Sequence, residues 1–179
     1  MTCETTESLL HQGYQARREH RLADAKSLFG AAVAICREAN NQALLAQSLT
    51  GLGQIERDLG NLEAALDNYA EAVRTLRTLD DPLALAHAVR HVGDIQRNRQ
   101  HLDEAAPCYA EALEIYRANQ ATPPLDLANT LRGYALLRGE MGCREEAKLL
   151  WIEAGQLYTA AEVQAGVDES ERQVALLTS

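Results

Sequence analysis

The stretch GNLEAALDNYAEA at residues 60–72 returns forty residues later as QHLDEAAPCYAEA at residues 100–112. In this frame an alanine is followed four residues later by an aromatic residue, and three residues further on by a second alanine. The pattern occurs at Ala25–Phe29–Ala32, Ala65–Tyr69–Ala72, Ala105–Tyr109–Ala112 and Ala147–Trp151–Ala154. Because positions i, i+4 and i+7 lie on one side of an α-helix, each copy predicts a helix that buries one ring between two small residues.

A second helix is predicted upstream of each of these helices. Its apolar positions recur in three copies as Leu45, Ala46, Leu49, Leu52 and Gly53, as Leu85, Ala86, Val89, Val92 and Gly93, and as Leu127, Ala128, Leu131, Tyr134 and Ala135. Asp81 before Pro82 is typical of a helix start, while Gly60 and Gly142 fall where a left-handed residue would end a helix. The chain is therefore predicted to be all-α and built of tandem helix-turn-helix repeats.

The composition is consistent with a packed helical protein, and the net charge argues against some classes of binding partner. Hydrophobic residues make up 46% of the 179 residues and charged residues 24%, which is ordinary for a globular domain. The net charge of -9 argues against binding to nucleic acid or to a membrane surface. The N-terminus has no basic segment followed by an apolar one, and no apolar run of about 18 residues occurs, so we expect a cytoplasmic protein.

These repeats resemble the tetratricopeptide repeat family. Leu52–Gly53 and Val92–Gly93 match the Leu-Gly step of that family, and Ala65, Tyr69 and Ala72 match its second-helix signature. The period of about 40 residues exceeds the family's usual period of about 34. The chain is thus similar to the longer-repeat branch, which resembles the peptide-binding arrays of kinesin light chains and bacterial peptide-sensing regulators. The resemblance implies a right-handed superhelical solenoid.

The same frame predicts one tetratricopeptide-like domain over residues 1–179. The repeats are expected at about 5–40, 41–80, 81–121 and 122–162, with a capping helix at 167–177. Gly166 is expected to interrupt the chain before that helix. Glu171 stands in it where earlier copies have Leu or Val, which is typical of a terminal repeat that faces water.

The resemblance also implies that the face of each first helix opposite its buried side lines a concave groove. The candidate peptide-binding residues on these faces are Tyr14 and Arg17; Gln47, Thr50, Gln54 and Arg57; His87, Arg90, Asp94 and Arg97; and Asn129 and Arg132. Arg17, Arg57 and Arg97 are forty residues apart and so occupy the same position in three successive repeats. Because a guanidinium group binds carboxylates through paired hydrogen bonds, an acidic or carboxylate-terminated peptide segment is one form that the ligand could take.

Local ion pairs are an alternative role for these arginines. Arg90 and Asp94 are four residues apart, Asp94 and Arg97 are three apart, and Arg57 is next to Asp58, which are spacings at which charges pair along one helix. Two alternative functions also stay open. One is a homo-oligomerising scaffold, and the other is a peptide-sensing regulatory domain of a larger signalling system.

No catalytic, metal or cofactor site is predicted. His87 and His91 are one helical turn apart, but Arg90 lies between them and no catalytic Glu follows the first histidine. Gly51 and Gly53 lie within a predicted helix, where the third glycine and the preceding strand of a nucleotide site are missing. We therefore expect a non-enzymatic module that binds another protein or a peptide, with a homodimer as the alternative.

Overall fold

The computed structural model describes residues 2–178, and their side chains from Thr5 to Thr178. Over this range the chain forms nine α-helices and no strand. They are α1 Thr2–Arg18, α2 Leu22–Glu38, α3 Gln42–Asp58, α4 Leu62–Leu76, α5 Pro82–Asn98, α6 Leu102–Ala118, α7 Pro124–Glu140, α8 Arg144–Ala160 and α9 Gln164–Thr178. The prediction of an all-α chain of tandem helix hairpins is confirmed. None of these described helices is both long enough and apolar enough to cross a membrane.

The helices form two compact units, Met1–Ala88 and Val89–Ser179, with the division inside α5. In the first unit α1 packs on α2, α2 on α3 and α3 on α4, and α1 also contacts α3. In the second unit α6 packs on α7, α7 on α8 and α8 on α9. Within each unit, these helices therefore pack on one another in sequence order, as in a repeat protein. The single domain over residues 1–179, with its repeat limits, stays a prediction.

The turns between helices depend on single residues with positive φ. Gly60 and Gly142 both have φ 81°, as predicted for left-handed caps. Four residues other than glycine also have positive φ, namely His20, Asn40, Gln100 and Glu162. Because their side chains carry a Cβ that disfavours this conformation, the sequence had no strong signal for these turns.

The start of the last helix differs from the prediction. Glu162, with φ 56°, separates α8 from α9, whereas Gly166 lies inside the first turn of α9. A Cβ on Gly166 would lie 2.4 Å from Cγ of Tyr158. The role of this glycine is therefore to let the ring of Tyr158 pack closely against α9, and it does not interrupt a helix. The capping helix accordingly begins at Gln164 rather than at residue 167.

The predicted contact between rings and small residues forms the core. Phe29, Tyr69, Tyr109 and Trp151 are all buried, as are the alanines before and after each ring. Glycines of the first helices bring the backbone against three of these rings, those of Phe29, Tyr69 and Tyr109. In the first unit a Cβ on Gly13 or Gly51 would lie 2.9 or 2.3 Å from the ring of Phe29. The second unit repeats this arrangement, with Gly133 against Tyr109.

In the second unit, the hydroxyl of the buried Tyr109 takes part in a network of polar side chains around Asp94. Asp94 accepts hydrogen bonds from Oη of Tyr109 at 2.7 Å and from Nη1 of Arg90 at 3.0 Å, and its Oδ2 lies 3.2 Å from Nδ1 of His91. Nε2 of His91 lies 2.9 Å from a guanidinium nitrogen of Arg90. Because a guanidinium group only donates, Nε2 must accept, and the proton of the neutral ring is on Nδ1, where it is donated to Asp94. Burial would raise the pKa of Asp94, but the hydrogen bond from His91 and the charge of Arg90 outweigh it and lower the pKa to about 2.

The ring contacts predict opposite effects for two glycine substitutions in the first unit. Gly51→Ala should lower the free energy of unfolding by about 1–3 kcal/mol, because its Cβ would overlap Phe29. Gly30→Ala should raise it by about 0.5–1 kcal/mol, because no atom lies within 4 Å of the new Cβ and alanine favours the helix. Urea unfolding followed by circular dichroism measures both. Equal effects of the two substitutions would contradict the ring contact.

The network around Asp94 predicts a loss of stability in acid. A lowered carboxyl pKa contributes stability that is complete above the unfolded pKa of about 3.9 and disappears as the pH falls towards 2. The wild type should lose about 2 kcal/mol through this group in that range. Asp94→Asn should lack this part of the pH dependence and be less stable at pH 7 by a similar amount. Asp103→Asn, at an exposed carboxylate of α6, should retain it. Parallel pH profiles for Asp94→Asn and the wild type would contradict the prediction.

Candidate functional site

The first unit contains a cavity of about 610 Å³, here called the first-unit cavity. Five of the predicted groove residues line it: Tyr14, Gln47, Thr50, Gln54 and His87. Its apolar lining consists of Ala43, Leu44, Ala46, Leu76, Leu79 and Ala84. Asp80 and Asp81 complete the lining. The volume lies within the range of small-molecule and peptide side-chain sites in proteins.

The α3 helix supplies one polar face of this cavity. Gln47, Thr50 and Gln54 follow one another at spacings of three and four residues, so they lie on one side of the helix. The opposite side carries Leu45 and Leu49, which are buried in the core. The burial of Leu45 and Leu49 therefore turns the polar face towards the cavity.

Tyr14 from α1 is held in place by the core. Its ring meets Phe29 edge-on, with ring centroids 5.0 Å apart and an angle of 76° between the planes. Burial raises the pKa of Tyr14, and the nearby charge of Arg17 opposes this only in part. The hydroxyl is therefore protonated at neutral pH and can both donate and accept a hydrogen bond.

A chain of hydrogen bonds crosses the three first helices of this unit at the polar end of the cavity. Nε of Arg17 donates to Asp58 at 2.7 Å, and its Nη1 donates to Oε1 of Gln54 at 3.3 Å. Nε2 of Gln54 lies 3.3 Å from Nε2 of His87. Because the amide nitrogen can only donate, Nε2 of His87 accepts and a neutral imidazole carries its proton on Nδ1. The chain holds Gln54 in one orientation.

The predicted arginines of the first unit are absent from the lining of the first-unit cavity. Arg17 is engaged by Asp58, and a guanidinium nitrogen of Arg57 lies 3.7 Å from the same carboxylate. No lysine or arginine is among the residues that line this cavity. Its charged lining groups are the carboxylates of Asp80 and Asp81.

The predicted residues of the second unit are also engaged within the protein. Arg97 donates to Glu140 at 2.9 Å, and Arg132 makes two hydrogen bonds to Glu169 at 2.7 and 2.8 Å. The hydrogen bonds to Glu169 raise the pKa of Arg132. Asn129 accepts a hydrogen bond from Oη of Tyr158 at 2.8 Å. Arg97, Arg132 and Asn129 thus connect helices, while Arg90 pairs with Asp94 within α5, and none of these residues lines the first-unit cavity.

The ion pairs follow a spacing that the sequence analysis missed. Arg90 and Asp94 pair along one helix as the alternative interpretation predicted. Three of the other arginines predicted for the groove instead pair with acids 41, 43 and 37 residues further along, in the first helix of the next hairpin; the pairs are Arg17–Asp58, Arg97–Glu140 and Arg132–Glu169. An arginine followed by an acid about one repeat later was the available signal.

The linker from α4 to α5 was the other missed feature. Asp81 was predicted only as a helix cap, and its Oδ1 does accept a hydrogen bond from the Ala84 amide at 3.0 Å. The linker also places Leu79 and Asp80 at the cavity. It extends from Arg77 to Asp81 and contains no residue with positive φ, unlike the tight turns at Asn40 and Gly60. This linker thus supplies three of the residues that line the cavity, Leu79, Asp80 and Asp81.

A sequence model of the tetratricopeptide repeat matches residues 4–78. No curated protein matches the sequence. Proteins of this repeat family typically act in protein–protein interaction or as sensors, generally bind proteins or peptides, and are typically not enzymes.

Several crystal structures have the same fold. They include BtubC from P. vanneervenii, a Signal Transduction ATPase with Numerous Domains with a tetratricopeptide repeat sensor from Pyrococcus horikoshii, and the apo form of RapI. In that order, the TM-scores are 0.81, 0.85 and 0.89, and the sequence identities are 20%, 15% and 14%. The likeness covers 91%, 99% and 98% of this chain but 66%, 27% and 64% of the other chains.

At these identities the likeness concerns the fold, and this chain spans only part of the length of each neighbour. The match to the tetratricopeptide repeat model covers residues 4–78, which is less than half of the chain. Residues 4–78 therefore match the tetratricopeptide repeat family by sequence, and the described helices share the fold of these three structures.

Proposed function

We propose that the chain is a non-enzymatic interaction module that binds a peptide segment of another protein in the first-unit cavity. The observation that carries the proposal is the combination of an apolar lining with an unengaged polar face on α3. Within the described residues, the side chains of Gln47 and Thr50 have no hydrogen-bond partner. They lie where a ligand could reach them.

An extended peptide suits this face. Such a peptide has backbone N–H and C=O groups that must find partners when it leaves water. The glutamine amide and threonine hydroxyl can each donate and accept. Gln47 and Gln54 are about 10 Å apart along the helix axis, a distance that about three residues of extended peptide span. The apolar lining would take the side chains that alternate with these backbone contacts.

The contacts of the predicted arginines do not favour an acidic or carboxylate-terminated ligand. The expectation of such a ligand depended on the arginines at positions 17, 57, 97 and their neighbours, and these lie next to carboxylates of the protein itself. A ligand carboxylate would have to displace Asp58 or Glu140 from its ion pair. We therefore propose peptide binding without that acidic preference.

A bulky substitution on the α3 face tests the site. Thr50→Trp should weaken binding of a peptide by tenfold or more, because the indole would occupy the cavity. The probes are labelled 12-residue peptides selected from a random phage-displayed library on the wild-type chain, and binding is measured by fluorescence anisotropy. The control is Ser27→Trp on the exposed side of α2, which should bind as the wild type does. Unchanged binding by Thr50→Trp, with its melting temperature preserved, would place the peptide elsewhere.

Self-association is a second candidate function, favoured by an apolar surface on α8 and α9. Leu149 is 66% exposed, Ile152 41% and Leu176 59%. A cavity of about 460 Å³ on the same two helices is lined mainly by apolar groups, including those of Trp151, Ile152, Val167 and Val174. Exposed apolar side chains on the same helices as an apolar cavity are a feature of surfaces that contact another protein.

Sedimentation equilibrium separates this candidate from a monomeric module. If α8 and α9 form a homodimer, the apparent mass should rise with concentration from 19.6 kDa towards twice that value. Leu149→Glu combined with Leu176→Glu should keep the chain monomeric, since a charge cannot be buried there without a partner. Leu59→Glu, at an exposed leucine of the first unit, is the control and should leave association unchanged. A wild-type mass that stays constant up to millimolar concentration would exclude the homodimer.

A further inference from the structure

We propose that the first-unit cavity selects a basic peptide segment, with a lysine or arginine side chain next to an apolar one. This inference rests on the proposed function, because it names the chemistry of the peptide that the cavity would bind. A preference for basic peptides is opposite to the preference for acidic peptides that the repeated arginines led us to expect. Three features of the cavity support it.

The first feature is the charge of the lining. Asp80 and Asp81 line the cavity, and neither takes part in an ion pair within the described residues. One oxygen of Asp81 caps α5, which leaves the other oxygen for a ligand. Asp80 is exposed. Two carboxylates without a counter-ion attract a cation, and a bound cation would reduce their mutual repulsion.

The second feature is the neutralisation of the neighbouring arginine. Arg17 reaches the polar end of the cavity through its hydrogen bond to Gln54, but it is paired with Asp58 at 2.7 Å. Within the lining of the cavity itself, the charged groups are therefore Asp80 and Asp81. The net charge of -9 adds a long-range attraction for cationic segments.

The third feature is the apolar lining beside these carboxylates. Leu76 and Leu79 lie at the end of α4 and in the linker that carries Asp80, and Leu44 faces the same cavity from α3. The side chains of lysine and arginine have long apolar stems that rest on such surfaces while the charged group reaches a carboxylate. An adjacent apolar residue of the peptide would fill the remainder of the cavity. An acidic side chain could bury no comparable stem and would meet like charge.

Peptide selection on matched variants tests the inference. A random 12-residue phage-displayed library is selected in parallel on the wild type, on Asp80→Asn/Asp81→Asn and on Glu38→Gln/Asp67→Asn. Asparagine is itself a good helix cap, so the first double variant keeps the start of α5. The second removes two exposed carboxylates outside the cavity, which have no ion pair within the described residues, and thus matches the change in net charge.

Lysine and arginine should be enriched in the peptides selected on the wild type and on the control, but not in those selected on Asp80→Asn/Asp81→Asn. For one selected peptide, the dissociation constant should rise about fivefold either when its basic residue is changed to glutamine or when both aspartates are changed. The two changes together should raise the dissociation constant little more than either change alone, because they remove the same contact.

The outcomes separate this inference from the proposed function. Selection of neutral or acidic peptides whose binding is still lost in Thr50→Trp would overturn the basic preference and leave peptide binding in the cavity intact. Enrichment of basic peptides that persists in Asp80→Asn/Asp81→Asn would also overturn the inference, since it would show attraction by overall charge. Failure to select any peptide whose binding depends on Thr50 would overturn the proposed function and the inference with it.

Discussion

The contact between an aromatic ring and the bare backbone of a neighbouring helix is the constraint on which this structure depends. Phe29 is enclosed by Gly13 of α1 and Gly51 of α3, at positions where even one Cβ on either glycine would crowd the ring. Such a contact admits only one register between the helices, because a shift of one residue would bring a side chain against the ring. The register in turn decides which face of α3 turns away from the core. The polar face with Gln47 and Thr50 is therefore a consequence of where Phe29 packs.

Most of the fold follows from local patterns in the sequence. The spacing of alanine, ring and alanine identified every second helix, and the rings are buried as predicted. Gly60 and Gly142 marked their turns, because a residue without Cβ adopts positive φ at little cost. Gly166 was misread for the same reason: a glycine also serves where a ring approaches, and the sequence alone does not distinguish a turn from a close contact. Glu162 ends α8 although its own conformational preference gives no sign of it.

The candidate site was harder to predict, since it depends on where the ends of long side chains lie. Helical spacing placed Gln47, Thr50 and Gln54 on one face, and all three line the first-unit cavity. Spacing also placed Arg17 and Arg97 in equivalent positions, but it did not show that each meets an acid from the next hairpin. Part of the cavity lining also comes from the linker at Arg77–Asp81, whose conformation no periodic pattern describes. Side-chain contacts between hairpins and linker geometry are thus the two sources of error.

The ion pairs change how the charge of a repeat surface should be judged. An arginine that repeats at the same register in successive hairpins also has a fixed neighbour at a fixed register, so its charge is balanced at each repeat when that neighbour is acidic. Arg17 with Asp58 and Arg132 with Glu169 show this arrangement in the two units. Such pairs join successive first helices, and what remains to attract a ligand is the set of charges without a partner. In the first-unit cavity these are carboxylates supplied by a linker, outside the repeated pattern. The charge preference of a repeat protein can therefore be opposite in sign to that of its most regular residues.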